Sequence, residues 1–346
     1  MRIESKTKFV IAAVGVVLFL SVLPCRAQTD WKVVKTFQIG GQGSWDYFTV
    51  DSSTHRLFVP RSTHTMVIDA ESGKVLGDIP GQKGAHGVAL VPSVNRGFIS
   101  DGGGDGAVVI FDLKSYAVLG TLVAQPDTDG IIFDPSSGQV VFVSGDGGTL
   151  MTLKPDVNPA GGKIDEPITL GGKPEFLASD GAGKVYVNLV DKNEVAVVGI
   201  KARKVIARRP VAPGGSPVGM TIDTKKHRLF VGCRKPQKVI VLSTDDGKVL
   251  ADLPIGAGVD ATKMDNGQAF ASCRDGSLAV VSETSPGQFA IAQTVKTGAG
   301  AGTMGIDSST HKIYLPTADY EEVKPGATGR PRMIPGSFKI LVVARG

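Results

Sequence analysis

The stretch that decides the fold is DSSTHRLFVPRSTHTMVIDAESGKVLGDIPG, residues 51–81. Its apolar residues fall in short runs rich in β-branched and aromatic side chains, separated by turns that contain Gly, Asp or Ser. This alternation is typical of short antiparallel strands joined by tight turns. A closely similar stretch, DTKKHRLFVGCRKPQKVIVLSTDDGKVLADLP, occupies residues 223–254. The chain is therefore built from a repeated, strand-rich unit.

The residue that ends the first apolar run of each unit marks the repeat. Starting from Asp51, the equivalent positions are Val91, Asp134, Asp180, Asp223, Asp265 and Asp307, which lie 40 to 46 residues apart. Seven units of this length each have room for four strands, as the blades of a β-propeller require. No helical periodicity separates the strands. We predict an all-β, seven-bladed β-propeller with four-stranded blades.

The ends of the chain predict how the ring closes. The seventh unit has apolar segments for three strands, near residues 303–306, 312–315 and 338–343, and lacks a fourth. Residues 33–39, VVKTFQI, resemble the fourth strands of the other units. We expect this segment to pair with the last blade, which would close the ring and remove an exposed sheet edge.

The repeat resembles the YVTN/YncE-type propeller family. The resemblance rests on the pattern of residues 51–81, its copy from residue 223 onward and looser copies elsewhere, and it extends over essentially all of residues 28–346. It implies the propeller architecture. Members of this broad group are mostly exported proteins without a characterised function, and more distant propeller relatives include dehydrogenase subunits and lyases. The resemblance therefore selects no function by itself.

The first 27 residues are predicted to be a signal peptide. Basic residues at positions 2, 6 and 8 precede an apolar run from Phe9 to Leu23, and Cys25-Arg26-Ala27 places small residues at −3 and −1 before Gln28. The apolar run is short for a membrane anchor, and Pro24 before Cys25 disfavours a lipoprotein site. We expect cleavage after Ala27, a single propeller domain over residues 28–346, a periplasmic or extracellular location, and no stable membrane insertion after cleavage.

Charge and motifs exclude several classes of partner and cofactor. The full chain has a net charge of +5, and removing residues 1–27 leaves 34 basic and 32 acidic residues. No basic run remains that would grip a phosphate backbone, so nucleic-acid binding is not expected. Haem, zinc and nucleotide motifs are also missing: GGGDG at residues 102–106 precedes no helical pattern. Cys233 and Cys273 follow equivalent strands of neighbouring units, and we expect two free thiols.

One repeat position collects acidic side chains. Five residues before each marker, the seven units carry Asp46, His86, Asp129, Glu175, Val218, Asp260 and Gly302. Equivalent positions of propeller blades share one end of the central channel, so four carboxylates and one imidazole are predicted to form a ring there. Ionised carboxylates in a narrow channel repel one another, and water, a cation, a cationic ligand or raised pKa values must relieve this repulsion.

The ring predicts a possible cation site. Carboxylates with one imidazole suit Ca²⁺, Mg²⁺ or Mn²⁺. The predicted metal ligands are His86, Asp129 and Glu175, which come from consecutive blades, and His86 is also the candidate general acid or base. A hydrated funnel with solvated carboxylates is the alternative interpretation.

Loop residues on the same face complete the predicted ligand site. His64 and Arg61 fall between the second and third strands of unit 1, and Arg234 and Arg274 occupy the equivalent loops of units 5 and 6. An anionic group bridging a metal and the arginines would fit this arrangement. The alternative is that each arginine is solvated or bonded to loop carbonyls.

Two further features are assigned by their place in the repeat. His55, His227 and His311 recur at one turn and are assigned to blade construction. The insertion from Thr317 to Ser337 in unit 7 is long enough to be a lid, a binding loop or a mobile segment over the same face.

Three function classes follow from these patterns. The first is an exported protein that binds a cation, a small ligand or a protein partner at the channel face. The second is a metal-dependent lyase or hydrolase acting on a small anionic substrate at the acidic ring. The third, an accessory subunit of a redox system, has no cofactor motif to support direct redox chemistry.

Overall fold

The computed structural model describes residue 1, residues 30–322 and residues 332–346. The predicted signal peptide, residues 1–27, and its cleavage site lie outside the described residues except for residue 1, and so does the middle of the unit 7 insertion, residues 323–331. In the part that is described, every regular element is a strand except for one 3₁₀ turn, Pro92–Val94. No described helix has the length and apolarity needed to cross a membrane.

The strands of the first three blades, numbered along the chain, are β2 (Thr49–Asp51), β3 (Arg56–Pro60), β4 (Ser62–Asp69), β5 (Val75–Val91), β6 (Arg96–Asp101), β7 (Ala107–Asp112), β8 (Val118–Val123), β9 (Thr128–Asp134), β10 (Gln139–Ser144), β11 (Thr149–Leu153) and β12 (Ile168–Thr169). The strands of the last four blades, with the strand that closes the ring, are β13 (Pro174–Ser179), β14 (Lys184–Leu189), β15 (Glu194–Gly199), β16 (Lys204–Pro210), β17 (Pro217–Asp223), β18 (Arg228–Arg234), β19 (Gln237–Ser243), β20 (Val249–Pro254), β21 (Val259–Asp265), β22 (Gln268–Cys273), β23 (Ser277–Ser285), β24 (Gln288–Lys296), β25 (Gly305–Asp307), β26 (Lys312–Thr317), β27 (Lys339–Arg345) and β1 (Trp31–Gln38).

These strands form the seven predicted blades. Blades 3 to 6 are separate four-stranded sheets with strands in chain order. Blades 1 and 2 form one seven-stranded sheet because β5 is long enough to be the outer strand of blade 1 and then the inner strand of blade 2. Every pair within a blade is antiparallel, as a run of tight turns requires. Each repeat marker is the last residue of an inner strand or the residue directly after it. The repeat of 40 to 46 residues predicted from the sequence therefore corresponds to one blade.

The predicted ring closure is confirmed. In blade 7 the sheet order is β1-β27-β26-β25, with Trp31 opposite Arg345 and Gln38 opposite Lys339. The strand near the start of the described chain is therefore the outer strand of the last blade. This pairing gives β27 a partner on its open edge.

The core lies between the faces of neighbouring blades. Consecutive residues of the middle strands are buried, as in β14 and β18, because both faces of these strands are covered, while outer strands such as β16 alternate between half-buried and exposed positions. Cys233 and Cys273 are both buried free thiols, as expected, and burial raises the pKa of each to about 12.

The three repeated histidines contribute to blade construction. Each has a positive φ of 52° to 58° at the turn before the second strand of its blade. His55 Nδ1 lies 2.7 Å from Asp307 Oδ2 and joins blade 1 to blade 7, and His311 Nδ1 lies 2.8 Å from Asp265 Oδ2 and joins blade 7 to blade 6.

Candidate functional site

The five ionisable ring residues stand at the beginning of their inner strands, at one end of the channel. They divide into two groups with different counter-charges. Asp46, His86 and Asp129 contact one another, whereas Glu175 and Asp260 contact arginines. The repulsion expected from the sequence is therefore relieved in two different ways on the two sides of the ring.

The first group is a compact set of three possible metal ligands. His86 Nδ1 lies 2.7 Å from Asp46 Oδ2 and 3.5 Å from Asp129 Oδ1. One ligand atom from each of the three residues lies within 4.8 Å of the others. Asp129 is 8% exposed, and its Oδ1 atom is buried with no hydrogen-bond partner among the described residues. Most buried carboxylate oxygens have a partner, so this atom is an unused acceptor directed into the cluster.

The electrostatics of this group favour a cation between the carboxylates. Burial by itself lowers the pKa of His86, but the hydrogen bond with Asp46 and the charge of Asp129 outweigh it and raise the pKa to about 9. Burial also raises the pKa of Asp46, and the contact with His86 opposes that rise. The pKa of Asp129 is raised well above its ordinary value by burial and the neighbouring carboxylates, with His86 opposing the rise. At neutral pH the imidazolium of His86 is thus the only compensating charge inside this group of three residues.

The second group contains its own counter-ions. Asp260 is 3% exposed and is bound by the guanidinium groups of both Arg234 and Arg274, with Arg274 Nε 3.0 Å from Asp260 Oδ2. Arg234 also donates to the carbonyl of Val259 at 3.1 Å and lies 3.8 Å from Glu175 Oε1. Burial raises the pKa of Glu175, and Arg234 opposes that rise. Arg234 and Arg274, two of the predicted loop arginines, therefore bind the carboxylates of the ring directly.

This grouping changes one member of the predicted metal set. The sequence places His86, Asp129 and Glu175 on consecutive blades, but in the structure the third ligand beside His86 and Asp129 is Asp46. The physical reason is Arg234, which lies beside Glu175 and supplies its counter-charge.

The glycine at the ring position of blade 7 makes room for an arginine. A Cβ atom on Gly302 would lie 2.6 Å from Cγ of Arg274. The lack of a side chain there leaves room for Arg274 to lie against blade 7 while it binds Asp260 of its own blade.

A cavity of about 510 Å³ opens beside the ring. Asp46, Asp260 and Arg274 line it together with Trp45, Tyr320 and Met333. Tyr320 and Met333 are paired across the base of the unit 7 insertion. The described ends of the insertion therefore lie on the face of the acidic ring, as the sequence predicts. Whether the insertion covers the cavity concerns residues 323–331, which lie outside the described chain.

Two predicted residues do not join this site. His64 Nε2 lies 3.9 Å from Asp78 Oδ1, on the outer side of blade 1. Arg61 is completely buried, donates to the carbonyls of Gly40, Gly43 and Ser44, and stacks on Phe338 at 3.6 Å. Because its donors are satisfied inside blade 1 and blade 7, Arg61 holds the loop before Asp46 and does not face the cavity.

Two aromatic residues deeper in the channel were not among those predicted from the sequence. Tyr47 and Phe176 follow Asp46 and Glu175, and their ring centroids lie 4.6 Å apart directly below the acidic ring. Tyr47 is buried and donates from its hydroxyl to the carbonyl of Asp260 at 3.1 Å. The repeat itself could have singled out Tyr47 and Phe176, because the equivalent residues in the other five blades are Gly, Ala or Thr.

Comparisons with known proteins bear on the fold. No protein-family model and no curated protein matches the chain. Among solved structures, the chain is similar to one entitled Kuenenia stuttgartiensis Hydrazine Synthase, with a TM-score of 0.69 and 12% sequence identity over 80% of this chain and 94% of that chain. This chain has the β-propeller fold. At 12% identity the similarity establishes the architecture and carries no information on activity.

Proposed function

We propose that this chain is an exported propeller protein that binds a divalent cation, Ca²⁺, Mg²⁺ or Mn²⁺, through Asp46, His86 and Asp129. The observation that carries the proposal is the buried Oδ1 atom of Asp129, which has no hydrogen-bond partner among the described residues and lies 3.5 Å from Nδ1 of His86, in a group of three residues whose ligand atoms lie within 4.8 Å of one another. Carboxylate oxygens and one imidazole nitrogen are ligands that these cations accept. The fold supports a binding or scaffold role, and the cation site gives that role a specific location.

Protons and the cation compete for the same atoms. His86 Nδ1 lies 2.7 Å from Asp46 Oδ2, and ligation by that nitrogen requires a proton bound to it to leave. With a pKa of about 9 for His86, the affinity for the cation is expected to rise with pH from 6 to 9, by up to about tenfold per pH unit.

The cavity beside the ring supplies the place for a second component. Its lining combines Asp46 and Arg274 with the aromatic side chains of Trp45 and Tyr320. A small molecule or a protein segment with an anionic group fits this lining, because a bound cation would add positive charge next to Arg274. Export, a periplasmic or extracellular location and membership of the YVTN/YncE-type family are part of the proposal and rest on the sequence patterns.

The test is direct measurement of bound and binding metal. The chain from Gln28 onward, purified without chelator, is analysed for metal content and then titrated by calorimetry with Ca²⁺, Mg²⁺ and Mn²⁺ at pH 6, 7 and 8. We expect one site per chain. Asp129→Asn should weaken binding at least tenfold because it removes the charge but keeps the shape of the unpartnered ligand.

Glu175→Gln is the matched control. It removes one half-buried ring carboxylate that lies beside Arg234 and outside the set of three ligands. Retained binding in Glu175→Gln with lost binding in Asp129→Asn supports the site. Equal losses in both variants would support the set predicted from the sequence, and absence of binding to the wild-type chain at every pH would overturn the cation proposal.

A metal-dependent lyase or hydrolase acting on a small anionic substrate is the second candidate. The observation that favours it is the position of the 510 Å³ cavity, which brings Asp46 of the ligand set and Arg274 to one wall. His86 would move the proton in such a reaction. The check is a screen of small carboxylated esters and lactones for turnover that requires added metal and disappears in Asp129→Asn.

A further inference from the structure

A second cavity, of about 360 Å³, opens at the other end of the channel. Lys263 of β21 reaches into it, three residues after Asp260 on the same strand. The residues at this level of the other inner strands include Thr49, Ala89 and Ile132, all uncharged. Lys263 is thus the one charged residue among the seven equivalent positions.

The two cavities are separated by the aromatic pair of the channel. Tyr47 and Phe176 line the second cavity, and Tyr47 also lies close enough to Asp260, Glu175, Asp129 and Asp46 for their charges to raise its pKa, burial being the largest cause. The pair therefore stands between the acidic ring and Lys263.

The ammonium group of Lys263 has no counter-ion among the described residues. It stands over the ring of Phe176, 5.2 Å from the centroid. The carboxylate of Asp51, which also lines the cavity, accepts hydrogen bonds from Ser53 and Thr54 and a salt bridge from Arg56 instead. Burial lowers the pKa of Lys263 to about 8. A cation that has lost part of its hydration and gained no charged partner is unfavourable in the free protein.

We propose that this second cavity binds a small carboxylate with an apolar body. The carboxylate would pair with the ammonium group of Lys263, and the body would contact the apolar wall formed by Val50, Val88, Ile131 and Phe133. Small-molecule sites typically combine apolar walls with a few polar groups that orient the ligand, and Lys263 is the one cationic side chain in the lining of this cavity. The anion restores the electrostatic interaction that the cation lacks, so the charge of the ligand determines its affinity.

Benzoate is the probe, and benzamide is its neutral counterpart of the same shape. Binding of both to the chain from Gln28 onward is measured by calorimetry and by saturation-transfer NMR at pH 7. We expect benzoate to bind, benzamide to bind at least tenfold more weakly, and Lys263→Met to reduce the affinity for benzoate at least tenfold. Lys263→Arg should keep part of the affinity because it keeps the charge. Lys74→Met, on an exposed turn, is the matched control and should leave binding unchanged.

The thermal stability of Lys263→Met gives an independent result. Because the ammonium group has no charged partner to lose, the melting temperature is expected to stay the same or rise. Undetectable binding of benzoate to the wild-type chain at 10 mM, or equal affinities for benzoate in the wild type and Lys263→Met, would overturn the proposal. A fall in melting temperature of more than about 3 °C for Lys263→Met would also contradict it, because the contact with the Phe176 ring is worth only about 2 kcal/mol and a larger loss would show a charged partner for the amine.

Discussion

The junction between blades 7 and 1 contains an aspartate whose replacement should weaken the ring by a predictable amount. Asp307, at the end of the inner strand of blade 7, is completely buried. It accepts hydrogen bonds from the backbone N–H and the hydroxyl of Ser309, at 2.9 and 2.6 Å, and lies 2.7 Å from Nδ1 of His55 in blade 1. We expect Asp307→Asn to destabilise the fold because the amide cannot accept all of these bonds.

The magnitude follows from the pKa of the carboxyl group. Burial alone would raise it, but the bonds from Ser309 and His55 outweigh burial and lower the pKa of Asp307 from 3.8 to about 2. A shift of this size corresponds to about 2 kcal/mol of stability at neutral pH. With an unfolding entropy of about 2.1 cal/mol/K per residue, a domain of this length should melt about 3 °C lower.

The assay is thermal and urea unfolding of the wild type and Asp307→Asn between pH 7 and pH 2.5. The folded pKa is below the unfolded value, so the contribution of the carboxylate is complete above about pH 4 and is lost as the pH falls towards 2. The difference between the two proteins should therefore be constant at neutral pH and shrink below pH 4.

Asp265→Asn is the matched control. Asp265 has the same contact with a histidine, His311, at 2.8 Å, but it receives no bond from a hydroxyl in its own turn, in the region the structure covers. Its replacement should cost less than that of Asp307. Equal melting temperatures for the wild type and Asp307→Asn at pH 7, or a difference that does not change down to pH 2.5, would refute the reasoning.

Three other predictions concern the frame around the channel. Arg61→Met should lower the free energy of unfolding by about 2–4 kcal/mol, measured by urea unfolding. The carbonyls before Asp46 lose their hydrogen-bond donor, and Phe338 loses the guanidinium group stacked on its ring. A loss below about 0.5 kcal/mol would contradict this prediction. Cys233 and Cys273, whose pKa values are about 12, should not react with iodoacetamide at pH 8 in the native protein but should react in urea. Mass spectrometry measures the alkylation, and alkylation of the native chain would contradict the burial of the thiols. Deletion of residues 31–38 should expose the edge of β27 and produce aggregates or unfolded chain in size-exclusion chromatography and circular dichroism, and a monomeric folded product would show that β1 is not needed for closure.

The blade architecture could be predicted from the sequence because it is encoded locally. Each unit carries its own strand pattern and turn residues, and the markers from Asp51 to Asp307 recur at a nearly constant interval. Closure by residues 33–39 could be predicted by counting the strands in the last unit. The acidic ring followed from the same periodicity, since equivalent positions of a closed repeat must lie at one level of the channel.

The division of the ring could not be predicted from periodicity. The repeat places Glu175 next to Asp129, but the partner of each carboxylate depends on the reach of long side chains from neighbouring loops. Arg234 reaches across from blade 5 to Asp260, and Arg274 has room to bind it because the ring position of the adjacent blade is Gly302. The conformation of a flexible side chain between two blades is set by packing, which one sequence repeat does not specify.

The channel shows how a repeat protein acquires two different sites with little change to its frame. The inner strands differ in composition from one level of the channel to the next. Acidic residues lie at the mouth, and the level below has small residues in every blade except for Tyr47 and Phe176. At the level of the second cavity the residues are uncharged except for Lys263. Backbone pairing uses the N–H and C=O groups of these strands, so the channel-facing side chains are free to differ from blade to blade. Two aromatic rings in contact are enough to divide one channel into two cavities.

If that division is correct, Asp129→Asn should change cation binding and leave benzoate binding unchanged, while Lys263→Met should do the reverse. Loss of both activities in either variant would mean that the two ends of the channel act as one site.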